Sequence, residues 1–385
     1  MTWKETCTMS ERESFINGWL SGCFSVTELC ERFGVSRKTG HKWINRFKAE
    51  GMAGLADQSR ARHTQAQRTP EAVIERIVEL KLRYDRWGPV TIHSALHRDN
   101  PDGHWPAIST IGEILSAHNL VKTRRPRRKT PPHTQPLAHA TGPNEVWSAD
   151  FKGHFRLGNG HWCYPLTLSD NCSRLLISCR GMPTLDLKAS FEVYRQAFRS
   201  YGLPKVIRTD NGWPFAMNVL GGLTPLAIWL LKLNIYPERI APGKPSQNGR
   251  HERMHRTLKD HTAKPPKGDM SAQQRAFNHF RNEYNEERPH QSLGLGKCPI
   301  DVHVPSPRPY PERIPQIHYP DEFAVRKVKY GGYIKLNGQP IYTTRQLTGE
   351  HIGLEPLDHE RWQLYFGRLK LGVVDERLGR VIRPA

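Results

Sequence analysis

The chain has 385 residues, and its 57 Lys and Arg residues outnumber its 37 Asp and Glu residues, which gives a net charge of +20 at pH 7. This length predicts a globular protein of about two to four domains. The sequence has no run of about 18 apolar residues that would indicate a membrane span, and its N-terminus lacks the apolar stretch of a signal peptide. The seven cysteines form no C-x-x-C pair, which disfavours a disulfide framework or a cysteine zinc site.

The excess of positive charge is the strongest bulk signal. A field of this sign attracts polyanions, nucleic acid first and anionic membrane surfaces second. Acidic residues would serve solubility equally well, so solubility alone does not explain the sign of the charge. The composition therefore favours nucleic-acid binding.

Residues 1–65 are predicted to form a helix-turn-helix domain. In SVTELCERFGVSRKTGHKWINRF, the first helix has an apolar face, Gly34 permits a sharp turn, and Ser36 is a suitable N-cap for the second helix. An ordinary three-helix bundle with a basic face would give a similar pattern, but the overall charge favours DNA binding. The side chains expected to reach a major groove are Arg37, Lys38, Thr39, His41 and Lys42.

Residues 66–121 are predicted to form a second helical domain, which is either another helix-turn-helix or a small bundle that spaces the domains. Residues 122–143 are predicted to be a basic, proline-rich linker, because proline keeps the chain extended and like charges repel. Such a linker can follow a phosphate backbone. The residues expected to do so are Arg124, Arg125, Arg127 and Arg128.

Residues 144–292 are predicted to form a mixed α/β domain with the order βββαβαβαα and a five-stranded sheet. The first strand alternates, with Trp147 and Ala149 on one face and Asp150 on the other. Residues 293–319 are predicted to be a linker. Residues 320–385 are predicted to be a small β-barrel-like domain, since short alternating strands with Gly-Gly and Asn-Gly turns are typical of small barrels and sandwiches.

Three carboxylates occupy positions suited to chemistry. Asp150 lies in the first strand of the α/β domain, Asp210 ends its fourth strand, and Glu252 lies in the first turn of a later helix. Active groups of α/β folds lie outside the carboxyl edge of the sheet. Single acids more often serve as caps or solvated residues, but three converging acids would repel one another without cations. They would suit Mg²⁺ or Mn²⁺, which prefer oxygen ligands.

The blocks WSADFKGHF, IRTDNGWPF and APGKPSQNGRHERMHRTLK, followed by FRNEYNEERPHQSLG, resemble the catalytic core of insertion-sequence transposases of the retroviral integrase superfamily. They occur in the family's order, hold one acid each and cover about residues 145–295. The upstream helical region also resembles the N-terminal part of these bacterial transposases. One departure is the 41 residues between Asp210 and Glu252, a few more than is usual, and we expect the excess in NVLGGLTPLA.

The resemblance implies a ribonuclease-H-like core in which Asp150, Asp210 and Glu252 form an Asp-Asp-Glu triad, both catalytic and metal-binding. It implies two Mg²⁺ (or Mn²⁺) ions per active site and a polynucleotidyl transferase that cleaves and joins DNA strands at the ends of an insertion sequence. Two ions about 3.5–4 Å apart can stabilise the attacking and leaving oxygens of such a displacement.

The partners that the resemblance implies are double-stranded DNA, both the terminal repeats and the target, and at least one further copy of the chain, because two ends must be joined. The expected location is the bacterial cytoplasm, at the nucleoid and not at a membrane. Two further DNA contacts are expected near Glu252. Lys259 lies seven residues later, near the same helix face and about 10 Å along the axis, and Lys244 lies in the preceding loop.

The stretch HERMHRTLKDH also fits H-E-x-x-H, the signature of a zinc protease helix. The extended signature needs a glycine where this chain has Leu258, and a continuing helix would turn His261 about 80° away from His251. The surrounding positive charge also opposes zinc. We therefore disfavour a protease, and we leave His251 and His255 open as DNA contacts, groups that support the site, or surface residues.

Two other functions fit the same residues. A metal-dependent nuclease would share the triad but would not join strands. A non-catalytic DNA-binding regulator would use only the helix-turn-helix domain.

Overall fold

The structure is a computed structural model that describes residues 8–57, 69–121, 140–151 and 153–383. It divides into two compact units, residues 1–69 and 70–385. Within the described ranges, no helix is long and apolar enough to cross a membrane. The four arginines expected to contact DNA from the basic linker, Arg124, Arg125, Arg127 and Arg128, lie outside the described residues.

The N-terminal unit contains three helices, α1 (Thr8–Leu20), α2 (Val26–Arg32) and α3 (Arg37–Glu50). The Ser36 hydroxyl accepts a hydrogen bond from the Thr39 N–H and caps α3, as the sequence predicts. Gly34, between α2 and α3, has a φ of 65°, a conformation that other residues rarely adopt. The helices enclose a small core formed by Phe15, Ile16, Leu29, Cys30, Ile44 and Leu55.

A second helical bundle begins the larger unit, with α4 (Glu71–Arg83), α5 (Pro89–Asp99) and α6 (Ile108–Ala117). The bundle is tied to the end of the α/β domain. The Trp87 indole donates to the Glu283 carboxylate over 3.2 Å, and Arg98 pairs with Asp301. The structure therefore shows a bundle docked on the α/β domain, which leaves its DNA-binding role a prediction.

The predicted mixed five-stranded sheet is confirmed. Its order is β4-β3-β1-β5-β6, with β1 antiparallel to β3 and parallel to β5. A two-residue strand, β2, pairs antiparallel with the first residues of β3. The strands are β1 (Val146–Phe151), β2 (Phe155–Arg156), β3 (Trp162–Asp170), β4 (Leu176–Met182), β5 (Val206–Thr209) and β6 (Tyr236–Arg239).

Helices cover both faces of this sheet, in the predicted order. Trp147 and Ala149 of β1 share one core with Phe198 and Leu230, and Cys163 of β3 shares another with Leu258. The first core therefore includes α7 and α8, and the second includes α9 and α10. The four helices are α7 (Leu187–Tyr201), α8 (Pro225–Lys232), α9 (Gly249–Thr262) and α10 (Met270–Asn282).

The segment predicted as a linker, residues 293–319, is fixed to the α/β domain. It contains the short helix α11 (Pro299–Val302). The Arg308 guanidinium donates to the carbonyl oxygens of Pro204, Leu233 and Asn234 over 2.7 to 3.1 Å. Residues 293–319, which connect the α/β domain to the last domain, are therefore held against the α/β domain by specific hydrogen bonds.

The C-terminal region is β-rich, as predicted. Five strands form an antiparallel sheet of order β13-β12-β11-β10-β7, and β8 and β9 form a separate hairpin that contacts both edge strands, β7 and β13. These strands are β7 (Ala324–Lys327), β8 (Tyr333–Leu336), β9 (Gln339–Tyr342), β10 (His351–Pro356), β11 (Arg361–Phe366), β12 (Leu369–Asp375) and β13 (Arg380–Ile382).

Part of the segment between Asp210 and Glu252 has a structural role. Leu220, Leu223 and Leu231 are buried in the same core as Phe366 and Leu371 of the C-terminal domain. Residues 220–231 therefore form a bridge that attaches this domain to the α/β domain, and we call them the bridge segment.

We expect Leu223→Ala to lower the free energy of unfolding by about 2–5 kcal/mol, because Leu223 is fully buried in the shared core and its truncation leaves a cavity. Leu378→Ala is the matched control, since Leu378 is 53% exposed and should change stability by less than about 0.5 kcal/mol. Urea unfolding followed by intrinsic fluorescence measures both. Equal effects of the two substitutions would contradict the role of the bridge segment.

Candidate active site

Asp150 and Asp210 lie at the carboxyl ends of two neighbouring parallel strands. Ser148 of β1 is opposite Arg208 of β5, and each aspartate comes two residues later. Side chains two residues apart share a face of a sheet, and paired strands lie about 4.8 Å apart. Both carboxylates therefore emerge on the same face at the same edge, where both are half-buried.

The surroundings of these two aspartates define their positions further. The Gly212 N–H donates to Asp210 Oδ1 over 3.0 Å, and Asn211 Nδ2 donates to the Ile240 carbonyl oxygen over 2.7 Å. Burial, followed by the negative charges of Asp150 and Asp210, raises the pKa of the Tyr194 phenol. Both carboxylates therefore lie close enough to the Tyr194 hydroxyl to disfavour its ionisation.

Glu252 lies in the first turn of α9, as predicted, and its side chain is exposed. The start of α9 is held next to β1, where the Ser148 hydroxyl donates to Asn248 Oδ1 over 2.9 Å. Arg250 anchors the same turn by donating to the Asn171 carbonyl oxygen over 2.9 Å. Glu252 is therefore carried by an element that is fixed beside Asp150.

The structure does not bring the three acids into one closed cluster. Among the described residues, no three His, Cys, Asp or Glu side chains are close enough to hold one metal ion. The chemistry of the donors nevertheless fits a hard divalent cation, because Asp150, Asp210 and Glu252 offer only carboxylate oxygens and none of the three is fully buried. The triad remains a proposal on these grounds.

The two histidines of H-E-x-x-H are buried and point away from the exposed Glu252 side chain. His251 and His255 are 1% and 0% exposed, and their Nε2 atoms lie 2.8 and 2.5 Å from the Thr167 hydroxyl of β3. His251 Nδ1 lies 2.6 Å from the Ser169 hydroxyl. Hydrogen bonds to β3 therefore account for these histidines, and neither is surface-exposed.

His261 is separate from the other two histidines. α9 continues through it, as expected, and its ring packs against Phe280 with Nδ1 3.7 Å from Glu283 Oε2. Burial, with the positive charges of Arg86 and Arg288, lowers the pKa of His261 to about 4. His261 therefore belongs to the contact between α9 and α10.

The residues expected to contact DNA are mostly exposed. Arg37, Lys38, His41 and Lys42 lie on the open face of α3, whereas Thr39 is half-buried and its hydroxyl is 2.9 Å from that of Ser36. Thr39 is thus engaged in the helix cap. Near the acids, Lys244 and Lys259 are exposed.

The sequence interpretation missed three residues around the acids: Thr167, Ser169 and Tyr194. Thr167 is directly opposite Asp150 in the β1–β3 pairing, and Ser169 is opposite Ser148. The predicted meander contained this information, because an exact strand register would have placed polar β3 residues under the polar face of β1. Little in the sequence indicated that Tyr194 lies near the acids, since a tyrosine on a predicted apolar helix face is normally interpreted as a core residue.

Comparisons with known proteins agree with this architecture. Residues 140–245 and 233–296 each match a family described as an integrase core domain. Residues 11–63 match a helix-turn-helix domain, and residues 39–115 match a homeodomain-like domain. The chain therefore contains an integrase core domain preceded by a helix-turn-helix region, and the order of the strands in the sheet agrees with these matches.

The chain is also similar to insertion-element proteins. It is 27% identical over 280 residues to the IS476 uncharacterized 39.2 kDa protein of Xanthomonas euvesicatoria, a match that covers 72% of this chain and 78% of that protein. It is 28% identical over 227 residues to the IS407 uncharacterized 31.7 kDa protein of Burkholderia multivorans. This match covers 58% of this chain and 78% of that protein.

Solved structures that resemble the chain include the HTLV-2 integrase catalytic core domain in complex with magnesium, at 18% identity and a TM-score of 0.34 over 43% of this chain and all of that one. Another is the simian T-cell lymphotropic virus intasome in complex with a PP2A regulatory subunit. Its sequence identity is 18% and its TM-score is 0.37, over 80% of this chain and all of that one. At these TM-scores the likeness supports no conclusion of its own.

We expect His261→Gln to flatten the dependence of stability on pH between about 4 and 6.5. The folded pKa of His261 is about 4, below the usual value of about 6.5, so the unfolded state binds more protons in this window and stability falls as the pH falls. The effect amounts to at most roughly 3 kcal/mol. Urea unfolding at several pH values measures it. His279→Gln on the exposed face of α10 is the control, and an equally flattened curve in that variant would contradict the assignment.

Proposed function

We propose that the protein is a transposase that cleaves DNA strands at the ends of an insertion sequence and transfers them to target DNA. The observation that carries the proposal is the paired register of Asp150 and Asp210, with the helix of Glu252 fixed beside them. The insertion-element relatives and the integrase core matches support the same class of reaction. We further propose that Asp150, Asp210 and Glu252 are the catalytic and metal-binding triad.

The proposed cofactor is a pair of Mg²⁺ or Mn²⁺ ions, which would neutralise phosphate charge and activate the attacking oxygen. The chain's own contribution is positioning. β1 and β5 hold two carboxylates side by side, and α9 presents the third. The exposed face of α9 also carries Arg253, Arg256 and Lys259, cations that would hold the phosphates of a strand lying along the helix. The fixed polar groups stabilise the transition state, and the reaction needs no covalent enzyme intermediate.

Two other surfaces would bind DNA in this function. The exposed cationic face of α3 would enter a major groove at the terminal repeats. The C-terminal hairpin β8–β9 exposes Tyr333 and Tyr342, and Tyr330 beside it is 96% exposed. Lys329 and Lys335 lie on the same exposed segment, and such a mixture of aromatic rings and cations suits nucleic acid. We propose that this hairpin holds flanking or target DNA.

Assembly and location follow from the reaction. Two ends of the insertion sequence must be joined to one target, so we propose at least a dimer on DNA. We propose that the protein works in the bacterial cytoplasm at the nucleoid.

Two alternatives are tested by the same assay. A nuclease would cut a duplex that carries the terminal repeats but would not join a supplied, pre-cut 3′-hydroxyl end to a second duplex. A regulator would bind the repeats and do neither. The DNA that flanks the coding sequence supplies the substrate, and joined product in the presence of Mg²⁺ distinguishes the proposed function from both.

We expect Asp150→Asn, Asp210→Asn and Glu252→Gln each to lower strand joining by at least about a hundredfold, since charge stabilisation by the ions is worth several kcal/mol. Each substitution keeps the size of the side chain and removes its charge. Glu286→Gln, at an exposed acid of the same domain, is the control and should retain activity. Full joining activity in any of the three triad variants would refute that residue's place in the site.

We expect Arg37→Ala and Lys42→Ala each to weaken binding to a terminal-repeat duplex. If each residue contacts one phosphate, the slope of log affinity against log salt should fall by about 1 per residue. Fluorescence anisotropy at several salt concentrations measures this slope. The matched control is Lys188→Ala, an exposed cation of α7. An unchanged slope in both α3 variants would show that α3 does not contact phosphate.

A further inference from the structure

A chain of polar contacts runs beneath the first acid, from β3 through α9 and back to β1. It begins at Ser169 Oγ, which lies 2.6 Å from His251 Nδ1. It passes from His251 Nε2 to Thr167 Oγ1 and then to His255 Nε2, over 2.8 and 2.5 Å. It ends where His255 Nδ1 faces Asp150 Oδ2 at 3.5 Å. Four members are nearly or fully buried, and the last belongs to the proposed triad.

The single proton of the Thr167 hydroxyl decides the direction of this chain. The hydroxyl has three neighbours: the two Nε2 atoms and the Asp150 carbonyl oxygen, which lies 3.1 Å away. If it donated to that carbonyl, both Nε2 atoms would have to carry protons. A neutral His255 would then present a bare Nδ1 lone pair to the Asp150 carboxylate, which is repulsive.

The alternative gives each of the three short contacts one donor and one acceptor and turns a donor toward the carboxylate. Thr167 donates to His255 Nε2, its shortest contact, and accepts from His251 Nε2–H. His251 Nδ1 is then free of a proton and accepts from the Ser169 hydroxyl. His255 carries its proton on Nδ1, where it faces the carboxylate. A carboxylate favours a donor on the facing ring nitrogen, and the partner on the other nitrogen fixes the tautomer.

We propose that His255 is a positioning residue, whose Nδ1–H, fixed by Thr167 and His251, holds the Asp150 carboxylate in the orientation that binds metal. This inference rests on the proposed function. It gives the histidines of the H-E-x-x-H stretch a role beside the metal ligands instead of as ligands. Because the same contacts fix α9, they also set the distance between the helix of Glu252 and the strand of Asp150.

Two substitutions at His255 separate the two ring nitrogens. The amide nitrogen of Asn occupies the place of Nδ1, so His255→Asn keeps a donor toward Asp150 and loses the contact to Thr167. The amide of Gln reaches the place of Nε2, so His255→Gln keeps the contact to Thr167 and loses the donor. A purely structural role of His255 would not favour Asn over Gln. His279→Gln, at an exposed histidine, is the control.

The first readout is binding of Mn²⁺ to the full-length, DNA-free protein, measured by calorimetry with Asp150→Asn as the reference for a lost site. Partners that orient a metal ligand typically contribute about 10–100-fold to affinity. We expect His255→Gln to weaken Mn²⁺ binding by about tenfold or more and His255→Asn to stay within about threefold of the unsubstituted protein. Urea unfolding of each variant shows that the fold is retained.

The second readout needs no metal. In protein labelled with ¹⁵N-histidine, the His255 ring signals are those that disappear in His255→Asn. We expect the tautomer protonated on Nδ1, and a tautomer protonated only on Nε2 would overturn the proposal. Equal loss of Mn²⁺ affinity in the Asn and Gln variants would overturn the positioning role alone. If Asp150→Asn bound Mn²⁺ as well as the unsubstituted protein does, the proposed metal site itself would fail, and the role of His255 would fail with it.

Discussion

The parallel pairing of β1 with β5 is the constraint on which the candidate site depends. Side chains alternate between the two faces of a strand, so a slip of one residue would turn Asp210 away from the face that carries Asp150. β1 is protected against such a slip because β3 pairs with its other edge and its apolar residues, Trp147 and Ala149, are fully buried. Because the apolar face of β1 is buried, the opposite face, which carries Asp150, is fixed as well.

The third acid is positioned in a different way. α9 is attached to the sheet by Met254 and Leu258 and by the buried histidines, while its exposed face is dominated by cations. Glu252 lies among these cations and in water. In the proposed function, the fold places the two aspartates, and α9 carries Glu252 on a helix that is fixed beside β1.

Much of the fold could be predicted from the sequence because its patterns are local. The alternation in β1, the Ser36 cap of α3 and the pattern that identifies each strand or helix can each be recognised within about ten residues of sequence. The three acids were predicted from the motifs around them and from the resemblance; the structure places Asp150 and Asp210 at one edge of the sheet and Glu252 on a helix that is fixed beside β1, without closing the three into a cluster. Contacts that join distant segments were not visible. The pairing of Thr167 with the two histidines depends on a strand register, and the attachment of residues 293–319 through Arg308 depends on carbonyls exposed at the ends of other elements.

The bridge segment limits how freely the chain could exchange parts with its relatives. Its leucines complete the core of a domain that begins about one hundred residues later in the chain, although the segment itself lies between the second and third acids. A recombination event within residues 293–319 would therefore supply a new C-terminal domain while keeping the bridge-segment residues of its core. Only domains whose buried surface matches Leu220, Leu223 and Leu231 could be accepted. The part that surrounds the acids and the β-rich part are therefore subject to one set of packing constraints.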